Sequence, residues 1–251
     1  MKSPLHSINI GSIYFRDGQR APLPKRMAQC TPDTRQALIK IAKDVEGKGG
    51  KLYLSDLYRS YDMQLQSHLE WKTGKKSAFS PPPGGSMHEA GRACDLDLAS
   101  LKIKLADFWP IAKKHGMFPI IEKPKTSASE AWHFDCRGSH QIVYDYYKTG
   151  KGTNMKAYTA MAASGILAIG VRVDQFGKNQ SAAALQAGLI RLGHEIGSID
   201  GDVGMRTRKA LEKAQIEWTT PEQTLSVVEN QLKQAFPAEY DTSVFNEEVP
   251  A

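Results

Sequence analysis

The sequence is poor in cysteine. Cys30, Cys94 and Cys136 are the only three among 251 residues, and no two form a CxxC pair. That excludes a disulfide framework and a zinc ribbon. The odd count suits a chain made in a reducing compartment. A long apolar run is also missing. The longest, AYTAMAASGILAIGV at 157–171, falls short of the roughly 20 residues that span a membrane. A buried packing helix is therefore expected there, without membrane insertion. The opening residues, MKSPLHSINIGSIYFRDGQR, lack the apolar centre of a signal peptide, so no export address is expected. There is no dense basic arm and no helix-turn-helix pattern, which argues against nucleic acid as a partner.

What is present is ordinary for a globular chain, with 41% hydrophobic and 24% charged residues. The net charge of +6 is uneven. Residues 1–150 carry 23 Lys and Arg against 15 Asp and Glu, a balance of +8, and the remainder carries 10 against 12, a balance of −2. A basic first half suits an anionic polymer. Thr31-Pro32-Asp33 reads as a helix start, and Leu38, Ile41, Ala42 and Val45 follow at helical spacing until Gly47. Residues 51–58 read as a strand, and Ser60 as the cap of a second helix. SPPPGG at 80–85 can only be loop. A helix up to Gly116, strands at 118–121 and 131–136, and a helix at 141–147 complete an α+β pattern. We expect a small antiparallel sheet with flanking helices over 1–150, a linker at 151–154, a small all-α domain over 155–240 and a disordered tail over 241–251.

The stretch GGSMHEAGRACDLDL at 84–98 opens like a helical zinc motif. A second histidine would be needed at 92, and Arg92 stands there instead. Glycines at 84, 85 and 91 also argue against a helix. From Ala93 onward polar and apolar residues alternate, which places Asp95 and Asp97 on one face of a strand and Cys94 and Leu96 on the other. His88 lies in the approach loop, with Gly91 as the turn that returns it beside Asp95. Farther on, His133 follows Glu130 and Trp132. His88, Asp95 and His133 form a ligand set typical of catalytic zinc, one ion with an open fourth position. Glu130 is then a spare carboxylate suited to act as a general base. Glu89 reads as a bystander. Each residue also has an ordinary reading: structural histidines, a turn-capping Asp95, a solvated Glu130, and Arg59 paired with Asp56 or Asp62. By strand parity Cys94 and Cys136 share the face away from the metal, either as unrelated core thiols or as neighbours able to pair on oxidation.

Three ordered blocks carry a resemblance. They are Tyr58-Arg59-Ser60 with Gln64, then Ser86, His88, Gly91, Ala93 and Asp95, then Glu130, Trp132, His133 and Phe134. Together, over about residues 30–145, they resemble the zinc D-alanyl-D-alanine carboxypeptidase and L-alanyl-D-glutamate endopeptidase family. The hedgehog signalling domain, a binding protein, resembles the same family. The resemblance implies zinc on His88, Asp95 and His133, Glu130 as catalytic base, and Arg59 on a substrate carboxylate or the developing oxyanion. It also places Gln64, Ser86 and Trp132 on the substrate side. Cys94 and Asp135-Cys136 are mild departures from the pattern.

Residues 185–215 resemble the small three-helix peptidoglycan-binding module through Leu189 to Gly193, Asp200-Gly201, Gly204, Thr207, Ala210 and Leu211. Two motifs thus point at one polymer, bacterial peptidoglycan. The implied protein is a monomeric, endolysin-like peptidase, made in a bacterial cytoplasm without a signal peptide and acting on the wall after release. Trimming of terminal D-Ala-D-Ala and wall binding without hydrolysis are the alternatives.

Overall fold

The computed structural model describes residues 2–243, so the expected tail lies, from 244 on, outside the described residues. The first thirty residues are richer in strand than the sequence reading allows. Strand β1 (His6–Ser7) pairs with β4 (Gln29–Cys30). Between them β2 (Gly11–Arg16) and β3 (Gln19–Pro22) form a hairpin. Its turn, Asp17-Gly18, has φ of 52° and 78°, the left-handed pair that a tight hairpin favours.

Helix α1 (Pro32–Glu46) starts and stops where the capping pattern predicts and buries Leu38, Ile41, Ala42 and Val45. The chain then enters β5 (Leu54–Asp56), α2 (Tyr61–Lys72) capped by Ser60, and β6 (Ala93–Leu96). Helix α3 (Leu105–Lys114), β7 (Met117–Pro119), β8 (His133–Cys136) and α4 (His140–Lys148) follow. Six strands make one sheet in the order β3-β2-β5-β6-β8-β7. The pairs β5–β6, β6–β8 and β7–β8 are antiparallel, as expected. Strand β5, however, lies parallel to β2, so the sheet is mixed. The physical reason is α1: between β2 and β5 the chain passes through a helical crossover, which returns it in the same direction. The sheet and α1 share a core in which Leu54, Leu96, Phe108 and Phe134 are nearly or fully buried.

Past residue 157 the regular elements described are all helical: α5 (Ala157–Ala168), α6 (Gln180–Arg191), α7 (Met205–Lys213) and α8 (Pro221–Ala235). Residues 160–167 of α5 are all buried. This accounts for the apolar run, since a helix that is apolar all round needs neighbours on every side. No helix among the described residues is long and apolar enough to cross a membrane. The second core is not confined to these helices, because Ala90, Val143, Tyr146 and Tyr147 belong to it. The Tyr146 and Tyr147 hydroxyls accept the backbone N–H groups of Ile196, Gly197 and Ile199. Within the expected linker, Asn154 bonds Tyr147 and the Ile199 carbonyl.

Cys30, Cys94 and Cys136 are buried, free thiols in the first core. Cys94 faces Phe134 across the β6–β8 ladder, and the Cys136 N–H bonds the Arg92 carbonyl. Cys94 and Cys136 are therefore diagonal neighbours, roughly 7–8 Å apart by sheet geometry, beyond the reach of an unstrained disulfide at about 4.4–6.8 Å between Cα atoms. Burial raises the pKa of all three thiols, that of Cys136 to about 12. We expect all three to stay reduced in air-oxidised native protein and to react with a thiol reagent only on unfolding. A native mass two hydrogens lighter after oxidation would refute this.

Candidate metal centre

Two of the expected ligands face each other by strand register. Asp95 on β6 lies directly opposite His133 on β8, and His133 Nδ1 is 2.9 Å from Asp95 Oδ1. The third ligand arrives from the loop before β6. There Gly91, with φ of 64°, closes a turn in which its N–H bonds the His88 carbonyl. A Cβ at this position would come 2.6 Å from Leu5 and 3.2 Å from the Cys30 Cα, so both the conformation and the space call for glycine. The turn sets His88 Nε2 3.3 Å from Asp95 Oδ1. One ligand atom from each of His88, Asp95 and His133 falls within 4.8 Å of the others, and all three side chains are buried.

The donor atoms fit a metal. His88 Nδ1 is 2.7 Å from the Leu57 carbonyl, which fixes its proton there and turns the Nε2 lone pair inward. Among the described residues His88 Nε2 is buried and makes no hydrogen bond, which is costly for a polar atom without a further partner. His133 is held in the opposite sense: its Nε2 donates to Asp135 Oδ1 at 2.8 Å, which turns Nδ1 toward Asp95 and the candidate metal position. Burial would raise the Asp95 pKa, but the two imidazoles outweigh it and hold the carboxyl well below the usual range. Burial would likewise lower the His133 pKa, and the charges of Asp135 and Asp95 overcome it, raising it to about 10, so that without a metal a proton sits between His133 Nδ1 and Asp95 Oδ1 and a metal there would displace it. Such a site favours a cation.

Glu130 sits one turn before β8 with φ of 64°, a strained backbone for a side-chain-bearing residue. Its Oε1 is buried without a hydrogen-bond partner among the described residues, and burial raises its pKa despite nearby His133. Arg59 Nε bonds Asp56 at 2.5 Å, Nη1 bonds Gln64 at 3.3 Å and Nη2 bonds Asp95 Oδ2 at 3.3 Å. The pairing with Asp56 expected on the ordinary reading is thus real, yet it anchors the guanidinium at the site. Among the described residues, three of the five guanidinium N–H donors are used.

No protein-family model matches the chain, and no curated protein matches it. A solved structure of the LdcB LD-carboxypeptidase, reported to reveal the molecular basis of peptidoglycan recognition, superposes with a TM-score of 0.40 at 19% sequence identity. The superposition covers 52% of this chain and 66% of that one, just under two thirds. At that level the likeness is coarse, and the geometry of the site bears the functional weight.

His88, Asp95, His133, Glu130 and Arg59 all line one cleft of about 1020 Å³, with Trp132 and Ser86. Ser86 Oγ also accepts the His88 N–H at 3.3 Å. Gln64 is fully buried behind Arg59, its amide donating to Ser80 and Pro81. Asp97 leaves the metal face: β6 ends at Leu96, and Asp97 bonds Arg20 and Ser100. Glu89 is no bystander. Its buried carboxylate accepts the Gly84 and Ser86 N–H groups and so folds the loop that delivers His88, while burial raises its pKa to about 7 against those bonds. Arg92 is fully buried and pairs with Asp33 and Glu239. The sequence reading missed Asp135 as the partner of His133. The signal was available, since a carboxylate two residues from a ligand histidine on one strand shares its face.

Proposed function

We propose that the chain is a zinc peptidase of bacterial peptidoglycan, cleaving stem or cross-link peptides. The observation that carries this reading is the pair of unpartnered buried atoms, His88 Nε2 and Glu130 Oε1, facing one cleft beside Asp95, His133 and Arg59. Zinc on His88 Nε2, Asp95 Oδ1 and His133 Nδ1 would supply a Lewis acid that polarises a carbonyl and makes water a better nucleophile. Glu130 takes the proton of the attacking water at Oε1 and passes it to the leaving amine. Arg59 directs its spare N–H groups at a substrate carboxylate or the developing oxyanion. Asp135 and the Leu57 carbonyl hold the imidazole protons on the atoms that face away from the metal.

Residues 155–240 would attach the enzyme to the same polymer and raise the local concentration of scissile peptide. This layout supports an endolysin-like role, in which the protein is made in a bacterial cytoplasm and meets the wall after release. A second reading, trimming of terminal D-Ala-D-Ala, is favoured by the free donors of Arg59, which suit a terminal carboxylate. Mass spectrometry of digested sacculi separates the readings. New N-termini within the peptide are expected, and released D-Ala or D-Ala-D-Ala would support the second reading instead. Chelation should abolish the products and zinc restore them; no product from zinc-loaded protein would leave only a binding role.

A further inference from the structure

The geometry points to Tyr158, in the first turn of α5, as a positioning residue of the metal centre supplied by the helical part of the chain. The inference deepens the zinc reading and rests on it. Tyr158 Oη lies 3.1 Å from Asp135 Oδ1 and 3.5 Å from His133 Nε2. Asp135 is fully buried, and its Oδ2 has no hydrogen-bond partner among the described residues. Its side chain is therefore held by two donors, His133 Nε2–H and the Tyr158 hydroxyl, both on Oδ1.

That arrangement has a consequence for the ligand. His133 offers Nδ1 to a metal only while its proton stays on Nε2, and Asp135 keeps it there. A carboxylate with one donor can rotate about its Cβ–Cγ bond, whereas a second donor on the same oxygen fixes the oxygen that faces the imidazole. Tyr158 is itself fixed. It packs against a small buried cluster of Met87, Ala93, Met161 and Ala162. Met87 and Ala93 flank the turn that carries His88, so the same tyrosine touches the surroundings of two ligands. The residue lies outside positions 30–145, where the family-like blocks stand, and beyond the expected linker. The metal centre is thus not complete within residues 1–150, and the helical part does more than attach the enzyme.

The test uses the full-length chain and zinc alone, measured by competition with a chromophoric chelator. Tyr158→Phe keeps the ring and removes one oxygen, so the melting temperature of the metal-free protein should stay close to that of the parent. Zinc affinity should fall about 5–10-fold, at or just under the 10–100-fold range for outer-shell partners. Asp135→Asn should cost the full range, and Tyr158→Phe added to it should change affinity by less than about twofold, because the hydroxyl acts through Asp135. With Co²⁺ in place of zinc, the ligand-field absorption of Tyr158→Phe should shift, which loss of packing alone would not produce. Parent-like zinc affinity and an unshifted Co²⁺ spectrum in Tyr158→Phe would overturn the inference and leave the zinc reading standing. Failure of the parent chain to hold zinc would remove both.

Discussion

Glu130→Gln is expected to lower kcat for peptide hydrolysis by about 10²–10⁴-fold, the range for removing a general acid–base group, while zinc affinity stays within about twofold. The two readouts part because Glu130 belongs to the cleft but not to the ligand set. The three converging ligand atoms come from His88, Asp95 and His133, and Glu130 Oε1 stands unpartnered beside them. Glutamine keeps the size of the side chain and adopts the same φ of 64° at comparable cost, so the turn into β8 should survive. It has no basic oxygen able to hold a proton through the reaction. The pH profile supplies an independent check. Burial raises the Glu130 pKa above that of an ordinary glutamate, and the base must be deprotonated to act. Activity should therefore be lost on the acid side, as pH falls through the Glu130 pKa of the zinc-loaded enzyme. Full activity in Glu130→Gln would remove the residue from the mechanism, and loss of zinc would make it a ligand.

What the sequence disclosed depended on how far apart the interacting residues stand in the chain. Strand parity put Asp95 toward the candidate metal position, and the turn at Gly91 returned His88, because both are local matters of period and backbone conformation. The α1 boundaries and the Ser60 cap were legible for the same reason. The β2–β3 hairpin carries a readable local signal, Asp17-Gly18 between two short strand-like runs. The parallel β2–β5 pairing was beyond local reading, since it follows from which edge α1 crosses. The roles of Glu89 and Arg92 were hidden differently. A charged residue in a loop reads as solvated, and only the fold reveals that Glu89 is capped by backbone N–H groups and Arg92 by two carboxylates. Tyr158 was invisible among the apolar residues of 157–171, where nothing local marks a hydroxyl aimed at Asp135.

Glu239→Gln is expected to destabilise the protein by about 3–5 kcal/mol, the cost of breaking a buried ion pair from one side. For a chain of this size that corresponds to a fall in Tm of roughly 6–20 °C. Glu239 is 2% exposed and meets two buried guanidinium groups, Arg191 on Oε2 and Arg92 on Oε1. Their fates differ. Arg92 keeps Asp33, Thr31 and the Cys136 carbonyl, so its charge stays compensated. Arg191 keeps the Ser139 hydroxyl, Tyr240 and a long approach to Phe236, and no second carboxylate is among its contacts in the described residues. Most of the loss should therefore come from Arg191, and Arg191→Met combined with Glu239→Gln should recover part of it. Acid should loosen the same seam. Burial and the Arg191 charge depress the His140 pKa to about 3, and the two arginines outweigh burial to hold Glu239 well below the usual range. Both folded pKa values lie below their unfolded ones. The stability they carry is complete above about pH 6.5 for His140 and above the ordinary glutamate range for Glu239, and it is lost as pH falls. Because Arg92 follows the turn that carries His88, a weakened seam should also lower zinc affinity, by less than loss of a ligand would. A Tm within about 2 °C of the parent in Glu239→Gln would show that the two arginines find other compensation and that this seam does not join the helices to the metal centre.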